Sequence, residues 1–176
     1  MARKRDSFYI NSEGGNYEAL KRGIQWLIKQ CEKDGNQNAF LCVPTKQNLT
    51  GVISDTLGKD YTNILSKNNE ARLPNNLGKL ILITERSKNV NNSGPCLVLY
   101  PSSKLLNKID SYTELRKVLV IPWGWNSNIQ NWIKTWNAKE LETNDKKNAE
   151  QFIKNPVVDE ALRDLLESIN TSTGIS

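Results

Sequence analysis

The chain has 176 residues, a length that can bury a hydrophobic core within a single domain without disulfides or metals. Its net charge is +5 and it contains no histidine, which excludes histidine-based acid/base catalysis, Ser-His-Asp and Cys-His triads, and zinc sites of the HExxH or zinc-finger type. No apolar run approaches the roughly 20 residues that span a membrane, and no signal peptide is evident, so we expect a cytoplasmic protein without membrane contact.

The charge is unevenly distributed along the chain. Residues 139–176 hold five basic and eight acidic side chains, whereas residues 1–138 hold nineteen basic and eleven acidic ones. Such a basic body is typical of proteins with an anionic partner, and ordinary solubility charge is the plainer alternative. The three cysteines are widely spaced in apolar segments, which indicates buried free thiols: Cys31, Cys42 and Cys96.

Hydrophobic periodicity predicts that strands and helices alternate in the first half of the chain. The predicted strands are short apolar runs, whereas the predicted helices repeat apolar residues at intervals of three and four. In chain order they are a strand at 7–10, a helix at 17–33, a strand at 39–43, a helix through 52–57 capped by Asn48 or Thr50, and a helical piece at 61–68.

The second half continues the alternation, after which a polar spacer precedes one last helix. A polar, asparagine-rich segment at 85–95 interrupts the order and is predicted to be a mobile loop. The predicted elements are strands at 79–84, 96–100 and 118–121, a helix at 104–109 capped by Ser102 or Ser103, a helical turn at 112–115, a helix that begins near Asn126 or Ser127, and a final amphipathic helix from Pro156.

Three of the predicted strands end in proline, in the runs LCVP, LVLYP and VLVIP, and residues that favour helix starts follow each of them. Continuous apolar strands that alternate with helices predict strands buried on both faces. We therefore expect a three-layer, Rossmann-like α/β sandwich with a mostly parallel sheet of four or five strands, formed by residues 1–138. Residues 139–176 are predicted to form a spacer and a C-terminal helix that packs on this domain or on a partner.

In an open α/β sheet, ligands bind outside the carboxyl ends of the strands. We call the segments 44–47, 84–86, 101–104 and 122–126, which follow four predicted strands, the strand-end rim. Cations and hydroxyls at helix starts suit a phosphate or another anion, although they also occur as ordinary helix caps and solvated charges. The candidate ligand-binding residues of the rim are Lys46, Arg86 and Lys104 for charge, and Ser102 and Ser103 for hydrogen bonds.

Trp123 and Trp125 flank Gly124 in the last rim segment. In an extended loop they point in opposite directions, so one is free to line the rim and stack on a base while the other packs in the core. Packing alone is the alternative for both. The pair Gly14-Gly15 lacks the GxGxxG pattern and favours an ordinary tight turn, with loose phosphate binding as the alternative.

These patterns support three hypotheses, and binding without catalysis is preferred. In the first, the rim binds an anionic ligand, which is a nucleotide or a nucleic-acid segment. In the second, the chain is a Rossmann-like enzyme that acts on a nucleotide or phosphoester, with Glu85 as the catalytic base or metal ligand. The rim offers no second carboxylate, no metal site is predicted, and the sequence does not identify a cofactor. In the third, residues 156–170 mediate assembly with a protein partner or a second copy.

Overall fold

The computed structural model describes residues 5–34, 38–88, 93–112 and 115–141. Strands and α-helices alternate along this part of the chain. The strands are β1 (Asp6–Tyr9), β2 (Ala39–Cys42), β3 (Glu70–Arg72), β4 (Lys79–Ile83), β5 (Pro95–Leu99), β6 (Lys117–Ile121) and β7 (Lys139–Glu140). The helices are α1 (Tyr17–Asp34), α2 (Val52–Leu57), α3 (Lys59–Asn68), α4 (Ser103–Ser111) and α5 (Ser127–Trp136), with 3₁₀ turns at Lys46–Leu49 and Pro74–Asn76.

All of these strands form a single sheet in the order β3-β4-β2-β5-β6-β1-β7. β3 is antiparallel to β4, and every other neighbouring pair is parallel, which confirms the predicted α/β architecture with a mostly parallel sheet. The predicted number of four or five strands was wrong, because β3 and β7 were missed. These two edge strands are three and two residues long and largely exposed, so no apolar run marks them in the sequence.

The strand order also differs from the doubly wound order 3-2-1-4-5-6, in which the first strand of the chain is central. Here β1 lies one strand from the edge, between β6 and β7. The Rossmann-like part of the fold prediction is therefore not confirmed.

The residues of the central strands alternate between two hydrophobic clusters. Ala39 and Leu41 pack with residues of α1, α2 and α3, whereas Phe40 and Cys42 pack with residues of α4 and α5. Because successive side chains of a strand point to opposite faces, the two groups of helices cover the two faces of the sheet. Burial on both faces explains why these strands are continuous apolar runs in the sequence.

Three helices begin at the carboxyl end of the sheet with a side-chain cap. Asn16 Oδ1 accepts a hydrogen bond from the backbone N–H of Ala19 at 3.1 Å, and Ser102 and Asn126 form the same contact at the starts of α4 and α5. Each cap satisfies a backbone donor that a helix terminus leaves unpaired. The helices that follow β1, β5 and β6 therefore all begin at the strand-end rim or beside it.

The connections between the strands create two crevices at this end of the sheet. The chain leaves β1 and β2 toward the face covered by α1, α2 and α3, and it leaves β5 and β6 toward the face covered by α4 and α5. The strand order makes β2 a neighbour of β5, and β6 a neighbour of β1. Ligands of open α/β sheets bind at such points, where neighbouring connections diverge to opposite faces.

At the opposite end of the sheet, a partly buried ion pair joins the start of β1 to α4, and its arginine also contacts α5. The guanidinium of Arg5 donates to Asp110 Oδ1 at 2.8 Å and lies 3.9 Å from the ring centre of Trp136. The Arg5 side chain is only 2% exposed, and the indole N–H of Trp132 donates to the same carboxylate oxygen at 3.1 Å. This network fixes α4 and α5 against the sheet far from the rim, and it accounts for Asp110 as a structural residue.

Some sequence predictions concern residues that the structure does not describe. These are part of the predicted turn at 112–115, the spacer from 142 onward, and the final helix with the self-association proposed for residues 156–170. The sheet continues past residue 138, because β7 pairs with β1 and the backbone N–H of Leu141 donates to Tyr9 O at 2.7 Å. No helix within the described ranges is long and apolar enough to cross a membrane.

A buried tyrosine makes the stability of this fold sensitive to alkaline pH. Tyr61 is 3% exposed, its hydroxyl donates to Arg72 O at 3.1 Å, and burial raises its pKa above the ordinary value near 10. The unfolded chain therefore loses this proton at a lower pH than the folded chain does. We expect Tyr61 to contribute a loss in the free energy of unfolding of about 1.4 kcal/mol per pH unit above pH 10, and no loss below it.

Urea unfolding of the wild-type protein and of Tyr61→Phe between pH 8 and pH 11 measures this contribution. The variant should lose about 1 kcal/mol at pH 8 through the missing hydrogen bond, and its stability should then decline less steeply above pH 10. Equal slopes for the two proteins in the alkaline range would show that Tyr61 is not the responsible group.

Candidate functional site

A cleft of about 1250 Å³ lies beyond the carboxyl ends of β2 and β4 and extends to the start of α4. We call it the basic cleft. Its walls come from the loops that follow β2 and β4, the end of α3 and the first turn of α4. The residues that line it are Pro44, Thr45, Lys46, Gln47, Asn69, Ile81, Leu82, Thr84, Glu85, Arg86, Ser87, Lys88 and Lys104.

The charge of the lining is strongly positive. It contains four cationic side chains and one carboxylate, which is a net of +3: Lys46, Arg86, Lys88 and Lys104 against Glu85. All four cations are exposed to solvent, so none of them has been driven into the cleft by core packing. A concave surface lined by one sign of charge concentrates ions of the opposite sign.

The single carboxylate is held by the start of α4. The Ser102 hydroxyl donates to Glu85 Oε1 and, as the cap of α4, accepts from the backbone N–H of Leu105 at 3.1 Å. The Lys108 ammonium donates to the backbone carbonyl oxygens of Glu85, at 2.9 Å, and of Ser87. Glu85 and the loop after β4 are therefore fastened to α4 by both side-chain and backbone contacts.

A tight turn follows β4 at the wall of the cleft. Ser87 Oγ accepts from the backbone N–H of Thr84 at 2.8 Å, and the Ser87 N–H donates to the Thr84 carbonyl at 3.1 Å. Arg86 and Lys88 flank Ser87 of this turn, and both line the cleft. Lys88 was missed in the sequence because it lies in a segment predicted to be a mobile loop; the Thr84-x-x-Ser87 spacing, which is typical of a side-chain-stabilised turn, was the available signal.

A second local structure positions Lys46. Asn48 Oδ1 accepts from both the N–H and the hydroxyl of Thr45, at 3.0 and 2.9 Å, and so closes the 3₁₀ turn that follows β2. The Lys46 ammonium donates to the Ser66 carbonyl near the end of α3 at 2.6 Å. This single exposed bond orients Lys46 and leaves its charge at the wall of the cleft.

The structure thus brings together three of the predicted site residues, Lys46, Arg86 and Lys104, in one cleft. Ser102 does not line the cleft but contacts Glu85, which does, and Ser103 is an exposed residue at the start of α4 that does not line the cleft. Asn69, which the sequence did not indicate, joins the lining because α3 ends there in a left-handed backbone conformation with φ 60°.

The two predicted tryptophans lie outside the basic cleft and in different environments. Trp123 is 59% exposed and meets the ring of Tyr100 edge-on, with ring centres 5.1 Å apart. Trp125 is half-buried and meets Tyr9 edge-on at 5.7 Å. Trp125 is therefore partly committed to packing, whereas Trp123 presents most of its surface at the strand-end rim.

Beneath the cleft, two cysteines of β2 and β5 are in contact within the core. The Sγ atoms of Cys42 and Cys96 are 3.1 Å apart, and both residues are fully buried. Burial and the neighbouring Cys96 thiol raise the pKa of Cys42 well above its usual value, which keeps Cys42 in its unreactive thiol form at neutral pH. Among the described residues, no three His, Cys, Asp or Glu side chains cluster as metal ligands.

Comparison of the chain with protein-family models, with curated proteins and with solved structures gave no match. The grounds for assigning a function are accordingly the position, the charge and the side-chain chemistry of the cleft.

Proposed function

We propose that the chain is a binding module and that its basic cleft takes a phosphate-bearing anion, either a nucleotide or a nucleic-acid segment. The observation that carries this proposal is the net charge of +3 contributed by side chains from two loops and from the first turn of α4. Lysine ammonium groups and arginine guanidinium groups are the usual partners of phosphate oxygens. Exposed cations that converge from distant parts of the chain are better explained by an anionic ligand than by solubility alone.

The location of the cleft supports the same function. The connection after β2 runs to one face of the sheet, and the connection after β5 runs to the other. The loop after β4 is bonded to α4 and so belongs with the connection after β5. The cleft lies where these connections diverge. Binding sites of open α/β sheets occupy this position. The volume of about 1250 Å³ leaves room for a nucleotide or for a segment of a polymer.

A thermal-shift screen tests this proposal with nucleoside triphosphates, a polynucleotide and divalent cations as separate ligands. We expect the melting temperature to rise with phosphate-bearing ligands, because a ligand that binds only the folded state stabilises it by mass action. Affinity measured by fluorescence anisotropy should fall markedly between 50 and 200 mM salt as phosphate contacts release counterions. An affinity that is nearly independent of salt would refute the electrostatic basis of the proposal.

A catalytic role is a second candidate because of one specific contact. This is the hydrogen bond that Glu85 accepts from the hydroxyl of Ser102, the cap at the N-terminus of α4. A carboxylate that orients a serine hydroxyl beside an anion site is compatible with acid/base chemistry on a phosphoester. Glu85 would act as the base or as an oxygen ligand for a metal.

The variant Glu85→Gln separates the two candidates. For a binding module, removing the carboxylate raises the net charge of the lining from +3 to +4, and we expect phosphate-bearing ligands to bind a few-fold more tightly. For an enzyme, the wild-type protein should hydrolyse a nucleotide or phosphoester, and the Glu85→Gln variant should not. Turnover by the wild-type protein that is unchanged in Glu85→Gln would eliminate Glu85 as a catalytic group.

A further inference from the structure

Two large apolar side chains are exposed in the described part of the chain, and both lie at the carboxyl end of the sheet. Trp123 is 59% exposed on the loop after β6, and Tyr17 is 48% exposed at the start of α1, on the connection after β1. β6 and β1 are neighbours, and their connections diverge to opposite faces. The exposed aromatic surface is therefore concentrated at the crevice between the connections after β6 and β1 rather than scattered.

The ring of Trp123 is held in place although it is exposed. Its edge-on contact with Tyr100 has an interplanar angle of 90°, and its carbonyl accepts from the N–H of Gly14 at 2.6 Å. A Cβ atom at Gly15 would lie 3.5 Å from the indole ring, at van der Waals distance, so the ring lies beside the Gly14-Gly15 segment. A ring that contacts Tyr100 and Gly15, on a residue whose backbone is hydrogen-bonded to Gly14, loses little conformational freedom when a ligand covers its open surface.

The tyrosine that supports Trp123 has an unusual backbone conformation. Tyr100 follows β5 with φ 53°, in the left-handed region that a bulky residue rarely adopts. Strained backbone of this kind persists where the surrounding structure demands it and is frequent at ligand sites. Tyr100 contacts the ring of Trp123 and precedes Lys104, a lining residue of the basic cleft, by four residues in the chain.

The basic cleft and Trp123 lie next to each other at the carboxyl end of the sheet. Trp123 follows β6 and Lys46 follows β2, with β5 between the two strands. Two inter-strand spacings amount to about 10 Å. At the rise of about 3.4 Å per nucleotide in one strand of a duplex, about three nucleotides cover that distance.

We propose that the ligand of the basic cleft is a single-stranded nucleic acid whose phosphates contact the cleft while one unpaired base stacks on Trp123. This inference rests on the proposed function of the cleft. Stacking needs a base whose face is free, which a duplex does not offer, and it tolerates any base because each has a π-face. Trp123 then contributes affinity without sequence selectivity, and Tyr17 is positioned on the neighbouring connection for a second base.

Fluorescence anisotropy with labelled ten-residue oligonucleotides of uridine and of thymidine tests this inference, with inorganic polyphosphate as a competitor that carries charge but no bases. Trp123→Ala should weaken oligonucleotide binding at least about five-fold, the lower end of a stacked base's contribution. The affinity for polyphosphate, obtained from the competition, and the salt dependence of binding should stay unchanged. Trp123→Phe should restore most of the affinity, and Trp125→Phe should behave as wild type because Trp125 packs on Tyr9.

The outcomes distinguish this inference from the function on which it rests. If Trp123→Ala binds the oligonucleotides as tightly as wild type, or loses polyphosphate binding equally, stacking is refuted and the cleft proposal stands. If the oligonucleotides and polyphosphate both fail to bind the wild-type protein, the function of the cleft is refuted as well. Tighter binding of a ten-base-pair duplex than of either single strand, or equal binding of polyglutamate, also overturns the inference. Uridine and thymidine oligomers compared with one another tell whether RNA or DNA is preferred.

Discussion

Replacing both Lys46 and Lys104 with glutamate is expected to weaken binding of a phosphate-bearing ligand roughly 100-fold at low salt. The double reversal changes the net charge of the lining from +3 to −1, so a site that attracts phosphate becomes one that repels it. In water, the interaction between two unit charges about 4 Å apart is about 1 kcal/mol. Each reversal removes one attraction and adds one repulsion, at two positions, and ionic screening then reduces the total.

The same variant should also reduce the salt dependence of binding. Each lost phosphate contact removes about 0.7–0.9 from the slope of log affinity against log salt concentration, so two contacts remove about 1.4–1.8. Anisotropy titrations at several salt concentrations measure both quantities. Both lysines are exposed, and Lys46 gives up only one exposed hydrogen bond to Ser66, so the folded structure should survive the change.

A matched control comes from the opposite end of the sheet. Lys33 and Lys134 are exposed residues in the last turns of α1 and α5, and their replacement with glutamate lowers the net charge of the chain by the same amount. This control should keep most of the wild-type affinity. Equal losses in the two double variants would mean that overall charge, not the basic cleft, attracts the ligand.

Replacing Gly94 with alanine is expected to cost about 3 kcal/mol of folding stability or more. A Cβ atom at Gly94 would lie 1.8 Å from the carbonyl oxygen of Asn38 and 2.9 Å from its carbonyl carbon. Both atoms belong to the backbone, so no side-chain rotation relieves the clash. Overpacking a core by a methyl group typically costs 1–3 kcal/mol, and a backbone obstacle places this site at the upper end of that range or beyond it.

The expected fall in melting temperature is roughly 6–12 °C, at about 2–4 °C per kcal/mol for a chain of this size. Gly94 immediately precedes β5 and Asn38 immediately precedes β2, so the clash would separate two central strands of the sheet. Gly124→Ala is the control, because nothing lies within 4 Å of a Cβ atom there, and its melting temperature should match wild type. Similar melting temperatures for the two variants would contradict the close approach at Gly94.

The elements that the sequence predicted well are those with a strong local pattern. The strands β2, β4, β5 and β6 were recognisable as apolar runs because both of their faces are buried, and α1 and α5 because one face of each is apolar. β3 and β7 escaped recognition because edge strands of two or three residues bury too little to need such a pattern. The rim residues followed from the strand ends, whereas Lys88 and Asn69 entered the cleft through a turn and a helix terminus that apolar periodicity does not mark.

The sequence by itself excluded histidine-based catalysis. It also determined the alternation of buried strands with amphipathic helices and the cations that follow the strands. The tertiary structure alone decided which strand ends are neighbours. Local periodicity specifies which side chains are buried but not which strand pairs with which, since that choice depends on crossovers between distant segments. The order β4-β2-β5-β6 brings Lys46, Arg86 and Lys104 into one cleft and leaves Trp123 beside it, two strands from β2.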